Sequence, residues 1–274
     1  STLSSDDLNA LTSGQIKALS TNQVAALTTG QVSTMQSDDV AALNTNQVAA
    51  LSSGQVGALS TDSIVALGSA QVAALTSKQA AGLTTDQMGA FETGDLKAMS
   101  TGTLRALTSD QLNALHSDQI EALTTNQVAA LTTGQISQFT TDDFAALTTG
   151  QLRALTTGQV ASLTSAELEA LNSDQIQSLT TAQVAALTTG QISNLTSDDL
   201  NAFTSAQIKA LGTAQVAALT TAQVSTLQSD DVQSLTTAQV AALSSAQLGA
   251  LSTESIVALG SQQVAALNSK QVAG

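Results

Sequence analysis

From Leu3 onward the sequence divides without remainder into 34 octapeptides, the first running from Leu3 to Ala10 and the last from Leu267 to Gly274. No insertion breaks the count. An α-helix advances about 100° per residue, so side chains repeating every eight positions drift about 80° around the axis per octad and never line up as a stripe. A heptad drifts only about 20°, which a supercoil absorbs. One long helix or a coiled coil is thereby excluded, and the backbone has to reset in every octad.

Lettering the octad a to h, as in Leu27, Thr28, Thr29, Gly30, Gln31, Val32, Ser33, Thr34, shows what each position accepts. Position a is Leu except at Met35, Phe91, Met99, Phe139 and Phe203, position f is always apolar with Ala80 the smallest, and h is mostly Ala. Position c is Ser or Thr in all 34 octads, whereas b also takes Gly68, Asn44, Gln36, Glu92 and His116. A longer period lies over the short one: residues 3–82 return as 195–274, an offset of 192 residues or 24 octads, with Ser37-Asp38-Asp39 matched by Ser229-Asp230-Asp231.

The invariant hydroxyl at c is expected to be the N-cap of a short helix running from d to the next a, because a capping Ser or Thr accepts an otherwise unpaired amide hydrogen at a gain of about 1 kcal/mol. Val32 and Met35, three apart, then share a face. Position b becomes the residue after the helix, where Gly68, Gly212, Gly260, Asn44, Asn172 and Asn268 are favoured breakers. Charge placement agrees with helices: 18 of 21 acids lie at d or e, and five of seven bases (Lys17, Lys97, Arg105, Arg153, Lys209) lie at g, the polarity that a helix dipole favours. Gly14, Gly30 and Gly54 at d are matched in the second long copy by Ala206, Ala222 and Ala246, so d has ordinary helical geometry.

Helices this short do not survive alone, since nucleation is costly and few bonds follow it. Each octad buries two apolar side chains at about 1.5–3 kcal/mol apiece and has to lean on its neighbours, as solenoid units do. The fold class expected is therefore all-α: a superhelix of 34 short capped helices, one per octapeptide, spanning 3–274 as a single repeat region and a fragment of a longer array. A β-solenoid is the alternative, with f and h inward, Thr ranks outward and Gln ladders at e. The abundant Ala and Gln, the hydroxyl rule confined to c and the polarised charges stand against it. The Asp-Asp landmarks, spaced by 4, 13, 7 and 4 octads, impose no coil register.

Composition narrows the function. With 4 Phe and no Trp, Tyr, Cys or Pro, the core has to be thin and aliphatic. The net charge of −14 disfavours nucleic acid and anionic membrane surfaces, and no apolar run is long enough to insert in a membrane. The pairs Asp6-Asp7, Asp38-Asp39, Asp142-Asp143, Asp198-Asp199 and Asp230-Asp231 offer oxygen ligands for Ca²⁺. They lack the alternating ligands and Gly of a calcium loop, and adjacent acids in a first helical turn are what the dipole favours. Gln fills e in 24 octads, where it is expected to cap locally or to bond to the backbone of the next coil. His116 is the only His, without a partner for metal or catalysis, and Met35, Met88 and Met99 sit at core positions. The expectation is no catalytic residue, no cofactor and no enzyme.

The phrase LTTxQVAAL, at Leu123 to Leu131 and Leu179 to Leu187, resembles the repeat regions of very large bacterial surface or secreted proteins of the adhesin, haemagglutinin and haem-utilisation type. That resemblance implies an extracellular or cell-surface location and a stalk, spacer or filament role, or else a module whose b, d and g surface binds a glycan, a protein or ice; its partners would be a host or cell-surface ligand or further copies of itself. The haem label finds no support in these residues. The phrase is also similar to the helix opening LTxxQVxAI of the DNA-reading repeats of plant pathogens, whose units are far longer and whose task does not suit a chain this acidic. Circular dichroism checks the fold class: a helical double minimum is expected, and a single β-type minimum would contradict it.

Overall fold

In a computed structural model of the chain, residues 3–273 are described; Gly274, which closes the last octad, lies outside them. Among the described residues there are 34 short helices, one per octad, and no strand. The β-solenoid is thereby set aside. None of the described residues, glycine or other, has positive φ, in keeping with the Gly-to-Ala exchanges at d.

The helices begin one residue earlier than expected. In the octad of Val32 the helix is Thr29–Ser33, c to g, and its N-cap is Thr28 at b, with φ −78° and ψ 157°. Other octads carry the helix on to h, as in Ser37–Ala42, whose C-cap Leu43 at a is extended with φ −60° and ψ 137°. The octad is thus a helix of one to one and a half turns followed by an extended link around a and b. The expectation that c caps the helix is corrected: c is the first helical residue, and b, which does follow the preceding helix, caps the next one. Gly68, Gly212 and Gly260 are accordingly N-caps in extended backbone, and Asn44, Asn172 and Asn268 cap through their side-chain oxygens instead of ending helices.

The hydrogen bonds inside one octad are few. Val32 N–H donates to Thr28 O at 3.0 Å, and Met35 N–H closes the last turn on Val32 O at 3.2 Å. Stability has to come from packing, and the f and a side chains supply it: Val32 is 1% exposed and Met35 5%. Together with Leu, Ile and the aromatic pair Phe139 and Phe144, whose rings meet edge to face at 6.0 Å, they make the thin aliphatic core. The h residues are mostly half-buried.

The stacking rule is uniform. The substantial helix–helix contacts all join helices three apart in sequence, such as Ser69–Ala73 with Thr93–Ala98 and Thr181–Ala186 with Ser205–Ala210. One coil is therefore three octads, or 24 residues. The chain comprises two compact units, 1–146 and 147–274, and within each the helices follow this rule as a helical solenoid.

One place in the first unit is tighter than the rest. Where f shrinks to Ala80, the adjoining coils close up until a Cβ on Gly82 would overlap the Ser53 carbonyl, and one on Gly57 would overlap the Gly82 carbonyl. A small core residue and two glycines thus act as a set. Gly82→Ala is expected to lower stability by about 1–3 kcal/mol, because backbone has to move to admit the methyl group. Gly94→Ala, where a Cβ would meet nothing within 4 Å, is expected to be neutral or to stabilise by up to about 1 kcal/mol through the unfolded chain; urea unfolding of both variants checks the contrast.

Candidate functional site

The most elaborate chemistry in the molecule is a clasp that recurs at position e. Thr124 and Gln127 illustrate it. Thr124 Oγ1 accepts Gln127 N–H at 3.2 Å, and Thr124 N–H donates to Gln127 Oε1 at 2.7 Å. This is a capping box, in which the N-cap and the third helical residue satisfy each other's amides. The other end of the same side chain reaches the preceding coil: Gln127 Nε2 donates to Leu96 O at 2.7 Å and to Met99 O at 2.8 Å. Those are f and a carbonyls at the end of a helix; the f carbonyl already accepts Met99 N–H at 3.1 Å, and the clasp gives it a second donor while supplying one to the a carbonyl beyond the last turn.

The register is constant. Gln55 bonds Val24 O and Leu27 O, Gln207 bonds Ile176 O and Leu179 O, and Gln239 bonds Ile208 O and Leu211 O, always 31 and 28 residues back. Gln127 is only 3% exposed, and a buried amide with every polar atom engaged costs nothing in lost solvation. Both roles expected of Gln at e, local capping and bonding to another coil, are thus present in one side chain. What the sequence reading missed is the burial of e and the place of the cap. The signal was available: Ser or Thr at b with Gln three residues on is the capping-box spacing, whereas a cap at c would put an apolar residue at the third position.

The clasp recurs because the motif does. The ALTTAQ repeat matches residues 1–37, 32–69, 63–91, 88–125, 138–172, 165–197, 192–229, 224–259 and 245–274. The chain belongs to the ALTTAQ repeat family. A comparison with curated proteins found no match. In structural terms the TTAQ of an ALTTAQ unit is the box itself, as in Thr180-Thr181-Ala182-Gln183, where Thr180 and Gln183 exchange hydrogen bonds and Gln183 Nε2 reaches Leu152 O and Leu155 O.

Departures from the ALTTAQ motif show which half of the clasp each atom supplies. Thr103 and Ser255 at e have no amide, yet their hydroxyls still donate to the preceding coil, at Leu75 O (2.8 Å) and Leu227 O (3.1 Å). Gly68, at b, keeps the return bond from its N–H to Gln71 Oε1 at 2.8 Å without a side-chain cap. His116 behaves likewise, donating its N–H to Gln119 Oε1 at 2.7 Å; its exposed ring lies beside Gly89. At c, Ser77 Oγ donates to Gly102 O and Ser69 Oγ to Asp95 Oδ1, but nothing further in the structure explains why every c is Ser or Thr.

The Asp pairs do not converge. In each, the first Asp, at d, is exposed, and the second, at e, takes the place of Gln; Asp38 faces solvent while Asp39 is buried, and Asp142 and Asp143 divide in the same way. Asp143 Oδ2 accepts Thr140 Oγ1 at 2.8 Å and Thr140 N–H at 2.9 Å. The Ser4 hydroxyl, followed by its N–H, holds the Asp7 carboxyl below the usual Asp value in the same way. Among the described residues no group of three or more His, Asp or Glu side chains is placed to hold a metal ion, and no helix is long and apolar enough to cross a membrane. Met35, Met88 and Met99 are buried in the core. A groove between coils in the second unit is shallow and lined by small and polar residues including Ser205, Lys209, Gln233, Thr236 and Gln262.

The two assignments at b and c are separable by mutation. Thr124→Ala is expected to cost about 1 kcal/mol as a lost cap, and Thr125→Ala to stay within about 0.5 kcal/mol. Gln127→Ala is expected to cost more, about 1–3 kcal/mol, because it strands the buried Met99 carbonyl of another coil as well as its own cap. Chemical denaturation of the three variants gives the order.

Proposed function

We propose that this chain is a non-enzymatic structural region, a stalk, spacer or filament-forming segment of a large bacterial surface adhesin, and that it works outside the cell. The observation that carries this reading is the uniformity of the clasp. The polar groups that recur from octad to octad, at b and e, are consumed by holding one helix to its own cap and to the preceding coil. What is left on the surface is the small hydroxyl at c, Ser or Thr in every octad, together with d and g, which vary from octad to octad. Chemistry needs a unique preorganised constellation, whereas a repeat whose polar positions are spent on its own cohesion suits a part whose property is length.

The long period fits the same reading. Its 24 octads are a whole multiple of the three-octad coil, so adding a copy of that length to such a coil returns each surface residue to the same side. Length is then adjustable without new interactions, since each repeat needs only its neighbours. The absence of Cys suits an oxidising exterior, although it suits other compartments too. A ligand-binding module for glycan, protein or ice would have to use c, d and g, because b is taken up by caps.

Two measurements test the proposal. The purified chain is expected to show no saturable binding on a glycan array or to host cells. An epitope displayed on a bacterial surface beyond arrays of increasing coil number is expected to become steadily more accessible to antibody. Specific, saturable binding by the chain itself would overturn the spacer reading in favour of the binding module.

A further inference from the structure

Position e faces carbonyl oxygens. Beyond the first coil, Gln at e places its Nε2 on an f oxygen 31 residues back and an a oxygen 28 residues back, as Gln127 and Gln207 do. By the same spacing Leu8 and Leu11 stand 31 and 28 residues before Asp39, and Leu200 and Phe203 stand 31 and 28 residues before Asp231. A carboxylate has acceptors only, so in its ionised form it brings negative oxygen towards oxygen. Both residues are buried, 5% and 6% exposed.

The other Asp residues at e have a side-chain hydroxyl donor that these two lack. Asp7, Asp143 and Asp199 each accept the hydroxyl of their own N-cap, from Ser4, Thr140 and Thr196, and Asp95 accepts Ser69 Oγ at 2.6 Å. In the octads of Asp39 and Asp231 the N-cap is Gln36 or Gln228, neither of which makes a side-chain cap bond. These are the only two octads with Gln at b, and they stand 192 residues apart, at the same place in the two long copies. The combination of an acid at e with a non-hydroxyl, uncharged cap at b therefore occurs twice, as a pair.

We propose that Asp39 and Asp231 are proton-operated clasps: ionised, each leaves the junction with the preceding coil open, and protonated, each donates its O–H to a carbonyl oxygen of that coil and closes it, as Gln does elsewhere. The proton comes from solvent, and no other group changes state. Burial raises both carboxyl groups above the ordinary Asp value of 3.8, with the neighbouring Asp38 and Asp230 adding to the effect and a bond from the Gln228 backbone opposing it at Asp231. The ionisable groups on the elements packed around Asp39 are Lys17 on Ser13–Ala18, Asp6 and Asp7 on Ser5–Asn9, and Asp62 on Thr61–Val65. Around Asp231 they are Lys209 on Ser205–Ala210, Asp198 and Asp199 on Ser197–Asn201, and Glu254 on Thr253–Val257.

The sign follows from proton linkage. Between 3.8 and the raised folded-state value the folded chain holds more protons than the unfolded one, so these two sites add stability as pH falls through the folded value, and the whole gain is present below 3.8. Relief of the net charge acts in the same direction throughout the chain, so the informative quantity is the difference between variants.

Thermal unfolding from neutral pH down to about pH 4.5 tests this. Asp39→Gln with Asp231→Gln is expected to raise the midpoint at neutral pH by about 2–4 °C and to flatten the acid gain. Gln36→Thr with Gln228→Thr, which restores the hydroxyl donor and leaves both acids in place, is expected to flatten it too. Asp86→Asn with Asp118→Asn, the same charge change at exposed d positions away from both sites, is expected to keep the wild-type gain. Hydrogen exchange corrected for intrinsic rates is expected to show protection rising on acidification at 197–203 and 229–234. A wild-type acid gain retained in full by either of the first two variants, or exchange at those segments indifferent to pH, would overturn the proposal.

Discussion

A helix of one and a half turns has nearly as many unpaired backbone groups as paired ones, and it is the buried amide at e that makes such helices tenable here. Its oxygen takes the N–H of the residue that starts the helix, and its nitrogen gives two hydrogens to carbonyls at the end of another helix. One side chain therefore serves an N-terminus and a C-terminus at once, in different coils. Because a buried polar group left without partners costs about 1–3 kcal/mol, the clasp acts as a register constraint as much as a source of cohesion: a coil displaced by one residue would bury an unsatisfied amide and an unsatisfied a carbonyl at each junction.

The apolar contribution is complementary and less specific. The f and a side chains fill a narrow core with Val, Leu and Ile, and any of several apolar residues serves, as Met35, Met88 and Phe91 demonstrate. Where volume falls, at Ala80, the backbone closes around it by means of Gly57 and Gly82. Hydrophobic burial thus holds the coil together while tolerating substitution, and the amide network decides which octad meets which. This division explains how the copies can drift in sequence while the coil stays at three octads.

The same geometry explains why an acid at e is not one kind of residue. With Ser or Thr at b the carboxylate turns back on its own cap and is well served by donors, as Thr140 serves Asp143. With Gln at b it is left facing the preceding coil, as at Asp39 and Asp231. Two positions three residues apart thus set whether a junction is indifferent to protons or responsive to them.

Much of this was fixed by the octad alone. An eight-residue period cannot run along one helix, the charges are polarised as helices require, and f and a share a face, so short helices stacked around a thin aliphatic core follow from the residues themselves. The cap was legible too, in the spacing from Thr124 to Gln127, but invariance at c drew attention away from it; c stays small and hydroxylic at the first helical position while b, tolerant of Gly68 and His116, does the capping because its backbone N–H and carbonyl serve even without a side chain. The number of octads per coil was decided only in three dimensions. Nothing within one octad measures the distance to the next layer, and the value of three emerges when the reach of the Gln amide, the girth of the f and a side chains and the turn made by each extended link are satisfied together.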